Sequence, residues 1–183
     1  MSSDGSATGG TPGKYVTLDG VSVSIRGDTG TRDDAAPTAT RTESRTGDKM
    51  IGDRMDDGTI YAGVSPDTGQ PMYALPVDAP LRMKWKEAME YAADLDANGH
   101  KDWKLPTKAE LGVLFHNRAK GALKGTFDTS GSGPSGWYWS AAEDPGHPDN
   151  AWVEWFSDGN RGSFWKGFGA SVRPVRSEPR HEL

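Results

Sequence analysis

Residues 137–176, WYWSAAEDPGHPDNAWVEWFSDGNRGSFWKGFGASVRPVR, hold five of the seven tryptophans: Trp137, Trp139, Trp152, Trp155 and Trp165. Phe156, Phe164 and Phe168 lie in the same stretch, which Gly, Ser, Asp, Asn and Pro interrupt throughout. A core needs apolar residues at a repeating period, whereas a recognition surface needs rigid rings beside small, adaptable polar residues. This stretch carries both signals. Alternation in AWVEWFSDG sets Trp152, Glu154 and Phe156 on one side of a strand and Val153 with Trp155 on the other. Each side bears a large ring, so one of them is expected to meet solvent or a ligand, and the side of Val153 and Trp155 is taken as the outward one. RGSFWKGFGAS, residues 161–171, combines aromatic anchors with an Arg, Gly and Ser, the composition of a binding surface.

The rest of the chain limits what that surface can be. With 183 residues there is enough chain for one domain with a real core plus an appendage. A net charge of −5 without any long basic run speaks against nucleic-acid backbone binding. The absence of cysteine removes disulfides, thiolate metal sites and cysteine nucleophiles together. No stretch approaches the roughly 18 consecutive apolar residues of a membrane-spanning helix, and no basic, then apolar secretory leader opens the sequence. Synthesis in the cytoplasm, without membrane insertion, is therefore expected. The closing RHEL reads as a charged, frayed tail over 178–183.

Residues 1–57 contain no Trp and no Phe and are expected to form a flexible arm. Within it, KYVTL-DG-VSVSI at 14–25 carries a hairpin signal, two β-branched runs around Asp19-Gly20. Such a hairpin would serve as an attachment or homo-oligomerisation arm, or as an edge decoration of the main domain. A polar linker follows, and the folded domain is expected over 58–177. GTIYAGV and PMYALPV read as two strands around a Pro/Gly turn. Residues 84–97 place Trp85, Ala88, Met89, Ala92 and Leu95 on one helical face, with Asn98-Gly99 as the stop. Thr107 and Glu110 form a capping box that opens a second helix, ended by Gly121. The strands WYWSA and AWVEWF then flank the loop EDPGHPDN, and Pro174 makes the last strand an edge or bulged one. Early strands, two helices and a late strand cluster give an α+β fold. His100, His116, His147 and His181 show no metal-binding spacing, so no metal or cofactor is expected.

The ordered series DWKLPTKAEL, YWSA, AWVEWFSDG and VRPVR resembles the Lcl C-terminal domain, over roughly residues 58–176. That family is similar to the C-type-lectin-like group of folds, which includes the formylglycine-generating-enzyme type. The resemblance implies a compact α+β fold with two helices, paired terminal strands and a late antiparallel sheet that carries a ligand face. YWSAAE, AWVEWFSDGN and ASVRPVR further resemble the framework of variable proteins diversified by retroelements. Under that resemblance the variable positions are 144–149, Val153, Trp155 and 161–168, and the protein is a phage tail-tip receptor binder or a displayed bacterial ligand binder. Calcium-lectin motifs are absent here, as are the cysteines and histidine triad of the enzymatic relatives, so their chemistry does not carry over.

The expected function is non-enzymatic binding of a protein or glycan on a cell surface. Its candidate residues are Asp144, His147, Asp149, Val153, Trp155, Arg161, Ser163, Phe164, Trp165, Lys166 and Phe168. Trp137, Trp139, Trp152 and Phe156 are assigned to the core, and Arg173 and Arg176 to pinning the last strand. Two other classes compete: a structural or virion scaffold subunit, and a hydrolase using Glu143, Asp144 and Asp149. The hydrolase would need two carboxylates placed across a cleft, and a Pro/Gly loop is a poor platform for that.

Overall fold

A computed structural model of the protein describes residues 49–131 and 133–178. The hairpin expected at 14–25, the polar linker up to residue 48 and the tail from 179 lie outside these residues. The folded unit reaches further upstream than the expected start at 58. Ile51 packs against the first core cluster, and the amide of Ala122 donates to the Gly52 carbonyl at 2.8 Å.

The architecture is α+β, with two three-stranded antiparallel sheets and two helices among the described residues. β1 (Ile60–Val64) and β2 (Pro71–Ala74) come first, then α1 (Trp85–Ala93) and α2 (Lys108–Asn117). β3 (Trp137–Asp144), β4 (His147–Trp155) and β5 (Arg161–Trp165) follow, and β6 (Val175–Ser177) closes the chain. The first sheet has the order β1-β2-β6, so the last strand returns to pair with the second, Tyr73 facing Arg176. The late sheet is the meander β3-β4-β5. β6 begins immediately after Pro174 and lies at a sheet edge, where a missing amide donor does no harm.

Local sequence explains most of the element boundaries. Thr107 Oγ1 accepts from the Glu110 amide at 3.1 Å, and the Glu110 carboxylate accepts from the Thr107 amide at 3.0 Å, a reciprocal capping box. Glu110 is fully buried, and Lys104 Nζ and Ser65 Oγ satisfy its other lone pairs. α1 ends at Ala93, with Asp94 as its cap, earlier than expected, because Asn98 and Gly99 are used otherwise. Both have positive φ, 56° and 78°, and they form a two-residue turn between the bridged Ala97 and His100. α2 likewise stops at Asn117, and Gly121 opens a short 3₁₀ turn instead of ending the helix. The expected loop EDPGHPDN is mostly strand: β3 and β4 continue to a tight turn at Pro145-Gly146, with the Gly146 amide held by Asp144 Oδ1 at 3.0 Å.

The late sheet is buried on both faces where β3 and the second half of β4 pair. Tyr138 and Phe156 belong to one cluster with Leu111 and Leu114 of α2. Trp139, Ala151 and Val153 belong to the other, with Ala88 and Ala92 of α1. Adjacent residues of β3 therefore enter different cores. This corrects the outward assignment of Val153, whose side chain is 1% exposed.

Candidate functional site

The candidate surface is built on β5, an edge strand, and on the segment that follows it. Alternation sends Gly162 and Phe164 to the α1 side of the sheet and Arg161, Ser163 and Trp165 to the α2 side. The binding residues expected from sequence are thereby divided between two faces.

On the α1 side four rings touch in series. Trp137 lies 5.5 Å from Trp155, 4.6 Å from Phe164 and 5.6 Å from Phe168, centroid to centroid. All four rings are half-buried. Trp137, assigned to the core, thus sits at the boundary with Trp155, Phe164 and Phe168, which are less exposed than expected. Gly162 makes the arrangement possible: a Cβ there would fall 2.6 Å from Cε2 of Phe164, so the ring folds onto bare backbone. Phe168 continues into a groove of about 490 Å³ lined by Leu81, Arg82, Pro134, Phe168 and Gly169. Leu81 is 72% exposed. The indole N–H of Trp155 is buried and has no acceptor among the described residues, an arrangement that costs free energy in a folded protein.

On the α2 side, the pairs are polar. Arg161 Nε bonds Glu154 Oε2 at 3.0 Å, across the register that sets Glu154 opposite Arg161. Burial pushes the Glu154 carboxyl up, against the pull of the Arg161 charge. Ser163 Oγ donates to Asp144 Oδ2 at 2.5 Å, and His147 Nδ1 meets the same oxygen at 2.9 Å. These bonds, that of Ser163 foremost, hold Asp144 down at a pKa of about 2. Asp144 thus stands between Ser163 and His147, so within this network the imidazole is not placed to take the serine proton. Trp165 is 64% exposed and curls over Gly167, where a Cβ would meet its ring at 2.4 Å. Trp152, assigned to the core, is half-buried here, with Lys108 Nζ 3.4 Å from its ring centroid.

Lys166 and Asp149 tie the surface together at its rim. Lys166 Nζ bonds Glu143 Oε2 at 2.7 Å and the Pro148 carbonyl at 2.5 Å, and the Lys166 amide donates to the Asp149 carbonyl at 2.8 Å. Two of the three carboxylates suggested for a hydrolase are therefore engaged in holding the β3–β4 turn, Glu143 by Lys166 and Asp144 by Ser163, while Asp149 contributes its backbone carbonyl. Asp158 organises the β4–β5 turn, accepting from the Asn160 amide at 2.9 Å.

Sequence reasoning missed Leu81, Arg82, Pro134 and Gly169, which come from three separate segments. Leu81, an apolar residue after Pro80 and outside any periodic run, was the available signal. A second concavity, about 460 Å³, lies between Lys49, Asp57, Tyr73, His100, Arg176 and Glu178. Most of its polar side chains are mutually paired, Lys49 with Glu178, His100 with Asp57, and Arg176 with Asp102 at the margin, so it reads as scaffold. Among the described residues no group of His, Asp or Glu is arranged to hold a metal, and no helix is long and apolar enough to cross a membrane.

No curated protein matches the chain. A family model described as the Lcl C-terminal domain matches residues 40–176. That span includes the ring cluster, the groove and both sheets, and the chain belongs to the Lcl C-terminal domain family.

Proposed function

We propose that the protein is a non-enzymatic binding domain that grips a protein or glycan on a cell surface through the rings on the α1 side of β5. The observation that carries this reading is the contiguity of Trp137, Trp155, Phe164 and Phe168, half-buried and opening onto the groove of Leu81 and Arg82. Rigid rings at a boundary give contact area at small rotamer cost, and an Arg beside them adds directed hydrogen bonds. The unpartnered indole N–H of Trp155 fits a residue selected for recognition rather than for packing.

The C-type-lectin-like resemblance and the likeness to retroelement-diversified proteins belong to the same proposal. Support comes from the contrast between positions. Trp139, Phe156, Val172 and Arg173, part of the resemblance's fixed framework, are fully buried. The residues at 145–149 are exposed and those at 161–168 are exposed or half-buried. Val153 drops out of the variable set because it is core. A virion tip or a displayed bacterial binder is the setting that this reading implies.

Two measurements test it. Sequencing the 3′ coding region across a population should place substitutions at codons 144–149, 155 and 161–168, at adenines of a template copy, sparing Trp139, Phe156 and Val172. An invariant region overturns diversification and leaves a fixed ligand or a structural subunit. Screening displayed cell-surface proteins and glycans with the wild type and with Leu81→Glu should yield ligands that the variant loses at unchanged melting temperature. Ligands bound equally by both would overturn the assignment of the surface.

A further inference from the structure

Arg161 closes a separate concavity on the opposite side of β5 from the rings. It measures about 340 Å³ and is lined by Ala109, Gly112, Val113, His116, Asn117 and Arg161. Its floor is α2 at Gly112, where a Cβ would stand 2.3 Å from Nη2 of Arg161. The Nη2 end of the guanidinium therefore abuts the helix only because that residue has no side chain. Glu154 engages Nε, and the two terminal nitrogens of Arg161 have no protein partner among the described residues. One helical turn on, His116 bonds the Gly112 carbonyl through Nδ1 at 2.7 Å. A carbonyl only accepts, so Nδ1 carries the proton, and Nε2 becomes a second donor, able to bond an anion, when the ring is protonated.

We infer that this concavity binds a carboxylate carried on a small apolar body, with Arg161 and His116 as its polar contacts and Ala109 and Val113 as its apolar wall. The planar fork of a guanidinium matches a carboxylate in geometry. Electrostatics favours an anion: beside the Arg161–Glu154 pair, Arg118 and, when protonated, His116 add positive charge. One free guanidinium edge and one imidazole suit a monoanion better than a phosphate dianion, and the methyl groups of Ala109 and Val113 suit an aliphatic body. A peptide C-terminus and a free short-chain acid share this chemistry. The inference is independent of the ring surface, which faces the other way.

The test uses the isotope-labelled full chain, with NMR detection of the Arg161 Nε–H and the His116 ring. The probes are sodium butyrate, N-acetylvaline, N-acetylvaline amide, and sodium chloride at matched ionic strength. Saturable shifts of both groups are expected with the acids and not with the amide or the salt. Gly112→Ala, which displaces the guanidinium, and His116→Gln, which keeps the Glu154–Arg161 pair, should each weaken binding about tenfold. The double variant Glu154→Gln/Arg161→Gln, which leaves no buried charge unpaired, should lose the response. Tighter binding of N-acetylvaline than of butyrate identifies a peptide terminus, and equal binding identifies a free acid. Shifts reproduced by salt, or undiminished in the folded variants, overturn the inference.

Discussion

At the scale of single residues, Asp144 shows how a half-buried carboxylate is committed to structure. Ser163, His147 and the Gly146 amide all bond it, and its pKa falls to about 2. A depressed folded-state pKa means that the stabilisation is complete above the unfolded value of about 3.9 and is lost as pH falls through about 2. Carboxyl-carbon NMR should find Asp144 ionised at pH 3. Ser163→Ala should move its titration upward, because the largest of its stabilising bonds is gone. An unchanged titration would show that the serine bond is not formed in solution. Because Asp144 is tied in this way, it is a rim anchor of the β3–β4 turn rather than a free acceptor. The sequence placed it in a loop because Pro145 and Gly146 resemble loop punctuation; they are instead the two residues of a tight turn.

At the scale of elements, the legibility of the chain depended on how many faces each element buries. The capping box of Thr107 and Glu110 and the edge position of the last strand were readable, since both follow from local chemistry. Helix α1 was readable in its face but not in its end, because Asn98-Gly99 serves a tight turn instead of a cap. β4 was misread at Val153. Period-two alternation identifies a buried face only when the other face is wet, and α1 and α2 cover opposite faces of the late sheet. Likewise the composition of 161–168 reads as one binding surface, yet 161–165 is a strand that sends alternate residues to opposite sides. The candidate site was thus found in sequence as a region but not as a surface. Two substitutions separate these readings of the strands. Val153→Ala should cost about 2 kcal/mol in urea unfolding through the cavity it leaves, whereas Trp165→Ala should stay within about 0.5 kcal/mol. Equal effects would contradict the placement of Val153 in the core.

At the scale of the whole molecule, Arg173 joins segments that are far apart in sequence. It is fully buried, bonds Asp78 Oδ1 at 2.6 Å, the Leu75 carbonyl at 3.0 Å and the Thr126 carbonyl at 2.5 Å, and lies over the Phe127 ring. Asp78 also accepts from the Tyr138 hydroxyl at 2.7 Å, and burial raises the pKa of both groups. Arg173→Met would leave Asp78 without its counter-charge and should cost about 3–5 kcal/mol. Arg173→Lys should recover little of it, since an ammonium cannot reach three differently directed acceptors from one plane. Chemical denaturation of the two variants checks this, and a mild effect of both would show that the network contributes little to stability.

The return of β6 to β2 has a consequence for how errors in this chain are filtered. The strand that completes the first sheet is read out after the region at 144–168. A shift of reading frame anywhere in that region replaces Arg173, Val175 and Arg176 along with everything after it. The first sheet then lacks its third strand, and Asp78 and Asp102 lose their guanidinium partners. Frame-shifted products are thus expected to lose the closing strand and its pairing with β2, while in-frame changes on the exposed edge of β5 leave that strand intact. Completion of the first sheet is thereby tied to correct reading of the segment that precedes its last strand.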